Sequence, residues 1–177
     1  MSGAGTGGGE PLEIERKFII RRVDESVLDA LAAERWEITQ TYLRRSEDGV
    51  SRRVRRVLCA GEVTYYYNEK IKLSGTTRIE RERVIGREEY EALLYGADPA
   101  LRVIEKTRWR IPHGELLLEI DHFPFWQHQA YCEIELPDED ASFTLPDWVR
   151  VVREVTDEKG YTNLALAKRI PDEDIID

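Results

Sequence analysis

Glu13-Ile14-Glu15-Arg16-Lys17, just after a glycine-rich start, is the stretch that decides how the rest of the chain is interpreted. If 12–20 form a strand, side chains alternate between its two faces, so Glu13, Glu15 and Lys17 share one face. Two carboxylates beside an ammonium group are unsuited to a dry core, but they can hold a divalent cation next to an anionic ligand. The pattern alone is a weak signal, because charges are common on solvated strands. Its repetition along the chain gives it weight.

Seven further strand-like segments follow, with three helical segments between them. Neighbouring strands are joined by turns at Ala60-Gly61, at Ser74-Gly75 and at 112–114. Many hairpin-linked strands with few helices predict an antiparallel sheet that is closed, or nearly closed, into a barrel. The predicted strands are Leu12–Ile20, Trp36–Arg44, Val50–Cys59, Glu62–Leu73, Thr77–Ile85, Arg102–Ile111, Glu115–Phe123 and Gln129–Leu136, and the predicted helices are Asp24–Glu34, Arg87–Tyr95 and Tyr161–Arg169.

The length of 177 residues predicts one domain over 12–170, with a disordered leader over 1–11 and a frayed acidic tail over 171–177. A net charge of -9 argues against a general binder of nucleic acid or of membrane surfaces. There is no apolar run of membrane-spanning length and no signal peptide, so we expect a cytoplasmic protein. Cys59 and Cys132 lack metal-ligand spacing, as do the three histidines, and two small buried thiols are favoured over a disulfide.

Pairs of like charge, two residues apart, recur on the predicted strands. Like charges at this spacing repel and are disfavoured unless an opposite charge lies between them. Charges on the solvated face of an ordinary sheet would instead show mixed signs, although periodicity does not say which face points inward. The acids in the pattern are Glu13, Glu15, Glu80, Glu82, Glu119, Asp121, Glu133 and Glu135, and the bases are Lys17, Arg53, Arg55, Lys70, Lys72, Arg78, Lys106 and Arg108.

Polyphosphate chemistry needs both signs in one cavity. Carboxylate oxygens hold hard divalent cations such as Mg²⁺ or Mn²⁺, whereas Arg and Lys bind the non-bridging phosphate oxygens. The equal numbers of acids and bases also leave an empty site roughly neutral, so that metal and polyanion would enter together. Burying so many charges without such ligands and water would be very costly.

The order of these blocks resembles the CYTH, or triphosphate tunnel metalloenzyme, family. The blocks are E-x-E-x-K, paired basic residues, K-x-K, R-x-E-x-E, K-x-R, E-x-D, E-x-E and a late K-G-Y-T-N, and they run from Glu13 to about Lys168. The resemblance implies an α+β fold, in which an eight-stranded antiparallel β-barrel with flanking helices has a charged tunnel that binds triphosphate with divalent metal.

The resemblance also implies a role for each matching position. Lys70 is a less secure match, since many relatives carry a hydroxyl residue there, and Tyr42 matches an aromatic position that could equally be ordinary barrel packing. The acids named above match carboxylates that hold the metals or their waters. The implied phosphate-binding residues are Lys17, Arg53, Arg55, Lys70, Lys72, Arg78, Lys106, Arg108 and Lys159, the last near a tunnel mouth.

These features predict a metal-dependent hydrolase of a triphosphate, with inorganic tripolyphosphate as the favoured substrate and Mg²⁺ or Mn²⁺ as cofactor. A lysine among like charges can have a lowered pKa, so Lys106, together with Tyr42, is the candidate for handling the proton of the attacking water. Three alternatives stay open: a class IV-type adenylate cyclase, a thiamine triphosphatase using Trp36 or Trp126 for stacking, and a non-catalytic polyphosphate-binding module. A small-molecule triphosphate or polyphosphate is the expected partner, and a homodimer is left open.

Overall fold

The computed structural model describes residues 12–73 and 77–175, which form nine strands, three α-helices and a short 3-10 helix. The observed bounds differ from those predicted by no more than three residues at either end of an element. The strands are β1 Leu12–Arg21, β2 Glu34–Tyr42, β3 Ser51–Cys59, β4 Glu62–Lys72, β5 Thr77–Ile85, β6 Ile104–His113, β7 Leu116–His122, β8 Gln129–Glu135 and β9 Val151–Glu154; the helices are α1 Glu25–Leu31, α2 Arg87–Leu94 and α3 Asn163–Lys168, and the 3-10 helix is Lys159–Tyr161.

Eight strands close into a ring in the order β1-β5-β4-β3-β2-β6-β7-β8, with β8 paired back to β1. All the pairings are antiparallel, which confirms the predicted eight-stranded antiparallel barrel. One edge of β1 is shared: β5 pairs with 12–14, and β9, which the sequence did not predict, pairs with 18–20. The short β9 therefore covers the part of the β1 edge that β5 leaves open.

The hairpin turns explain why neighbouring strands pair in register. Ala60 and Gly61 both have positive φ, 49° and 81°, as a two-residue turn between right-handed twisted strands requires. Gly114 has φ 61° at the β6–β7 turn. Both turns were predicted, whereas the predicted Ser74-Gly75 turn lies outside the described residues.

The outer wall of the barrel holds the side chains that alternate with the inward charged ones, apolar beneath the helices and partly ion-paired elsewhere, as where Arg52 meets Glu69 at 3.2 Å. Val54 of β3 packs against Tyr90 of α2, and Ile120 of β7 belongs to a cluster that contains Leu28 of α1. Val54, Leu28 and Ile120 are fully buried, so each contributes about 1.5–3 kcal/mol to the free energy of unfolding. The helices therefore cover the apolar parts of the outer wall, while the charged positions of the opposite face line the lumen.

The C-terminal segment packs against the barrel as far as residue 175. The Trp126 indole N–H donates to the Pro171 carbonyl at 3.1 Å, and the Asp174 amide donates to the Gln129 side-chain oxygen at 2.7 Å. Ile175 is buried. The prediction of a frayed tail is therefore wrong for 171–175, while the predicted leader and the last two residues lie outside the described part.

Two further predictions concern cysteines and membrane spans. Cys59 and Cys132 are both free thiols, although Cys59 is only half-buried. Within 12–73 and 77–175, no helix combines the length and the apolar character needed to cross a membrane.

Candidate active site: a charged tunnel through the barrel

The inner wall of the barrel, formed by the charged positions that face the lumen, encloses two cavities that share Glu15, Arg53, Lys70 and Asn163. The first, here called the acid-rich lobe, has a volume of about 260 Å³, and the second, the base-rich lobe, about 240 Å³. Among the described residues, the acid-rich lobe is lined by the carboxylates Glu13, Glu15, Glu80, Glu82, Glu119, Glu133 and Glu135 and by the bases Arg53, Arg55, Lys70, Lys106, Arg108 and Arg110. The described charged residues of the base-rich lobe are Lys17, Arg45, Arg53, Lys70, Lys72, Arg78 and Glu15.

Glu13 and Glu15 stand side by side on β1, which is where the alternation of the first strand places them. Burial, and then the nearby Glu133 carboxylate, raise the pKa of Glu15 to about 7, and a hydrogen bond shared with Glu13 adds to the effect. The Oε2 atom of Glu13 is buried and has no hydrogen-bond partner. Glu135 lies directly across from Glu15 on β8, so three carboxylates meet at this part of the lumen.

These carboxylates suit a hard divalent cation. Among the described residues, no three His, Cys, Asp or Glu side chains already form a metal site. Mg²⁺ does not require one, because it is commonly held by one or two carboxylates, with substrate phosphates and waters completing its octahedral shell. Glu13 Oε2 has no hydrogen bond and only a 3.5 Å ion pair with Lys70, and burial among other carboxylates raises the pKa of Glu15, so a divalent cation would stabilise both groups. The donor set therefore fits the predicted metal.

Arg53 and Arg55 project from β3 into the lumen and are both buried. Arg55 donates to Glu82 at 2.6 Å, and Arg53 lies 3.8 Å from Glu80. The Nε atoms of both arginines nevertheless have no hydrogen-bond partner. Buried guanidinium donors without acceptors are costly, and phosphate oxygens would satisfy them.

Asp121 forms the most densely bonded part of the inner wall. Arg108 donates to it through Nε and Nη2, both at 2.7 Å, and Lys106 donates through Nζ at 2.9 Å. Burial alone would raise the pKa of Asp121, but these two cations hold the pKa below its usual value. Asp121 is fully buried and is not among the residues lining either lobe. Its predicted role as a metal ligand therefore disagrees with its position, which is behind the bases it holds.

Lys106 itself does line the acid-rich lobe. Burial, and then the neighbouring Arg108 guanidinium, lower the pKa of Lys106 to about 8. Tyr42, its predicted companion, lines the base-rich lobe, where its hydroxyl accepts a hydrogen bond from the Gln40 side chain at 2.8 Å. The structure thus places the two candidates for proton handling in different lobes.

The remaining predicted residues lie as follows. Lys17 lines the base-rich lobe 3.3 Å from Glu133, and Arg78 lies 3.8 Å from Glu15. Lys70, the less secure match, is placed between Glu13 and Glu80 at 3.5 and 3.7 Å. Lys72, Glu80, Glu82, Glu119, Glu133 and Glu135 all line one lobe or the other.

Lys159 is the exception among the predicted phosphate-binding residues. It is exposed on the 3-10 helix and is not among the described residues that line the two lobes. The side chain from this segment that lines both lobes is Asn163, whose Oδ1 is buried without a hydrogen-bond partner. Thr162 caps α3 by accepting from the Ala165 amide at 3.0 Å, which sets Asn163 at the start of the helix. This segment therefore lines the lumen through Asn163, and the phosphate-binding role of Lys159 stays a prediction.

Sequence reasoning missed Arg110 and Asn68, which line the lumen, and it named Trp36, which also lines it, only as a stacking residue of the thiamine alternative. Arg110 continues the alternation of Lys106 and Arg108 on β6, so reading one step further along that strand would have found it. Trp36 and Asn68 carry no charge, and the alternation of charges could not have identified them.

The chain was compared with known proteins. No protein-family model matches it. It is 34% identical over 164 residues to a curated inorganic triphosphatase of Nitrosomonas europaea, an alignment that spans 90% of this chain and 99% of the relative. A second inorganic triphosphatase, of Acetivibrio thermocellus, is 37% identical over 106 residues, or 58% of this chain and 65% of the relative. A crystal structure of an inorganic triphosphatase superposes with a TM-score of 0.55 at 28% identity, over 90% of this chain and 97% of the other.

Proposed function

We propose that this chain, which belongs to the inorganic triphosphatase family, hydrolyses inorganic tripolyphosphate inside the barrel. The observation that supports this most directly is the inner wall, where seven described carboxylates and six described bases line one lobe. A water oxygen would form a new bond to phosphorus while a bridging P–O bond breaks. The products would be phosphate and diphosphate, with one proton released near neutral pH.

Divalent metal is part of the proposal, with Mg²⁺ or Mn²⁺ held by Glu13 and Glu15 and by water or phosphate oxygens shared with Glu80, Glu119 and Glu133. When bound, such a cation neutralises phosphate charge and lowers the barrier to attack at phosphorus. The narrower assignment to the CYTH, or triphosphate tunnel metalloenzyme, family is also part of the proposal and is supported by the order of the charged blocks along the strands.

Arg53, Arg55 and Arg108 would bind the non-bridging oxygens and stabilise the charge that develops on them, since phosphoryl transfer depends mainly on positioning and electrostatics. The free Nε donors of Arg53 and Arg55 support this role. Lys106, held in place by Asp121, is proposed to handle the proton of the attacking water.

Phosphate release from tripolyphosphate tests the proposal. We expect turnover with Mg²⁺ or Mn²⁺, none with excess chelator, and recovery when metal is restored. Glu13→Gln should raise the metal concentration needed for half-maximal rate and weaken metal binding measured by calorimetry. Glu105→Gln on the exposed side of β6 is the control and should leave both unchanged. Full turnover after metal stripping would contradict the metal requirement, and no turnover with any metal would contradict the function.

The alternatives gain no specific support. Trp126 is buried and its indole N–H is bonded to Pro171, so it is unable to stack on a thiamine ring. One face of Trp36 is covered by the Arg110 guanidinium, 4.6 Å from the ring centre. A cyclase would form a cyclic nucleotide from ATP with Mn²⁺, and a binding module would bind tripolyphosphate without releasing phosphate. The homodimer and the cytoplasmic location stay predictions.

A further inference from the structure

Asn68 of β4 is a neutral residue among charged ones on the inner wall. In register it lies opposite Arg53 of β3 on one side and opposite Glu82 of β5 on the other. Lys70, two residues further along β4, shares the same face. Asn68 is fully buried at the boundary of the base-rich lobe. An uncharged polar side chain that is buried between an arginine and a glutamate needs partners of its own.

The amide nitrogen of Asn68 binds two carboxylates of β5 at once. Nδ2 donates to Glu80 Oε1 and, at 3.3 Å, to Glu82 Oε2. The same Glu80 oxygen lies 3.8 Å from Arg53. The same Glu82 oxygen accepts from Arg55 at 2.6 Å. Asn68 is therefore the shared partner of two arginine–glutamate pairs.

The chemistry of the amide group sets its orientation. An NH₂ group carries two hydrogens, one for each carboxylate, whereas Oδ1 in the same place would be repelled by both. Oδ1 is buried and accepts no hydrogen bond from the described residues. The donors of Asn68 are thus fully used, and both of them are directed at carboxylates.

A neutral donor holds these carboxylates in a way that a third cation could not. Each carboxylate already has an arginine nearby, and a further positive charge would weaken its attraction for a divalent cation. The amide fixes both groups without changing their charge. It also keeps a partner on each oxygen if the arginine turns toward phosphate, so that no carboxylate is left buried and unpaired.

We propose that Asn68 is a positioning residue, which fixes Glu80 and Glu82 so that their carboxylates serve a divalent cation in the lumen. This inference rests on the proposed function, because it needs a metal beside these acids. Asn68 would act through the two carboxylates, as the partners that orient metal ligands do. Loss of such a partner typically lowers metal affinity or activity about 10–100-fold.

The test measures Mn²⁺ affinity by calorimetry without substrate, in the wild-type protein, in Asn68→Leu and in Asn68→Ser. Leu keeps the branched shape of Asn but has no donor, so we expect the affinity to fall about tenfold or more. Ser retains one donor and should lose less. Tyr67→Phe is the matched control, since Tyr67 is the preceding residue of β4 and its hydroxyl donates to Glu69 on the outer wall at 3.0 Å. The control also removes a hydrogen bond to a carboxylate, but it should leave Mn²⁺ affinity unchanged.

Rates separate positioning from a purely structural role. With tripolyphosphate, Asn68→Leu should raise the Mn²⁺ concentration for half-maximal rate much more than it lowers kcat at saturating Mn²⁺. A purely structural role would instead lower the free energy of unfolding in chelator and leave the metal dependence of the folded protein as it is in the wild type.

Mn²⁺ binding without substrate also keeps this inference separate from the proposed function. If the wild type does not hydrolyse tripolyphosphate, the proposed function fails, while the calorimetry still tests Asn68. The same Mn²⁺ affinity in the wild type and in Asn68→Leu, including no detectable binding in both, would overturn the inference. If Asn68→Leu does not fold, an unchanged affinity in Asn68→Ser would do so, as would an equal loss in Tyr67→Phe.

Discussion

The inner and outer walls of the barrel are made by the same strands and are buried to a similar extent, but they are satisfied by different partners. On β7, Ile120 points outward and Asp121 inward, and neither is accessible to solvent. Ile120 is packed by other side chains of the chain itself, in the cluster beneath α1. Buried polar atoms without hydrogen-bond partners occur on both walls, but on the outer wall the example is the neutral ring of His122, whereas on the inner wall they belong to the charged groups of Glu13, Arg53 and Arg55.

The two walls therefore differ in the kind of partner that their side chains require. Apolar side chains are stabilised by removal from water, which folding alone provides. Buried charges need partners of matching charge and geometry, which phosphate and divalent metal would supply in the proposed function. Substitutions on the outer wall should therefore affect stability, and those on the inner wall should affect turnover.

The largest expected effect is on the inner wall. Lys106→Ala should lower kcat for tripolyphosphate by about a hundredfold or more, because a proton-handling group acts chiefly in the transition state. Binding, measured by calorimetry with a metal that does not support turnover, should fall much less. Thr107→Ala is the matched control, since Thr107 is the next residue of β6 and bonds outward to Glu37 at 2.8 Å. Equal losses of rate and binding would make Lys106 a phosphate ligand instead, and an unchanged rate would remove it from the site.

On the outer wall, Ile120→Ala should lower the free energy of unfolding by about 2–5 kcal/mol, because it leaves a cavity among fully buried side chains. Ile120→Val should cost about 0.5–1.5 kcal/mol. Urea unfolding gives both values, and the rate per folded molecule should stay near that of the wild type. A large loss of rate in the folded Ile120→Val protein would show that the two walls are not independent.

The walls should also differ in how stability depends on pH. In the metal-free protein, the pKa of Glu15 is raised to about 7, so the folded state binds more protons than the unfolded state between about pH 4.5 and 7. The contribution of Glu15 is therefore favourable below that range and is lost as pH rises through it, by about 2–3 kcal/mol between pH 5 and 8. Unfolding in chelator at several pH values measures this loss. Glu15→Gln should flatten the dependence, as should saturating Mg²⁺, whereas Glu105→Gln should not.

His122 on the outer wall predicts a dependence of opposite sign. Both of its ring nitrogens are buried without hydrogen-bond partners, and burial, with the nearby Arg22 guanidinium, lowers its pKa to about 4. The unfolded state takes up the proton first, so stability should fall by about 2 kcal/mol as pH drops from 7 to 5. His122→Phe should remove this loss in urea unfolding, while His128→Ala, which changes an exposed ring, should retain it. The same loss in both variants would locate the acid sensitivity elsewhere.

Much of this architecture was predictable, because alternation along a strand is a local property. The two faces of β1, β3 and β7 follow from residue spacing, and the φ angles at Ala60-Gly61 follow from turn chemistry. The short β9 was missed because its four residues include two exposed valines, and its pairing with β1 depends on where β5 ends.

Site residues were predictable to the extent that they carry charge and lie on strands. The blocks of like charge could not show that Asp121 is hidden behind Arg108 and Lys106, since this depends on the lengths of three side chains from neighbouring strands. Lys159 was predicted and Asn163 was not, for a different reason. Both lie at the K-G-Y-T-N segment, and only the path of the 3-10 helix into α3 decides which one faces the lumen.

The pairing of β1 has a consequence for the order of folding. Its residues meet partners on β5, β8 and β9, so Lys17 lies opposite Glu133, more than a hundred residues later in the chain. Contacts of such long range slow folding, and a strand without its neighbours exposes an unpaired edge until they are made. Although β1 precedes the other described strands in the chain, it is thus among the last to be enclosed. Because it carries Glu13 and Glu15, the proposed metal site would form only when the ring closes, and a nascent chain that lacks β8 would have neither a barrel nor a place for the cation.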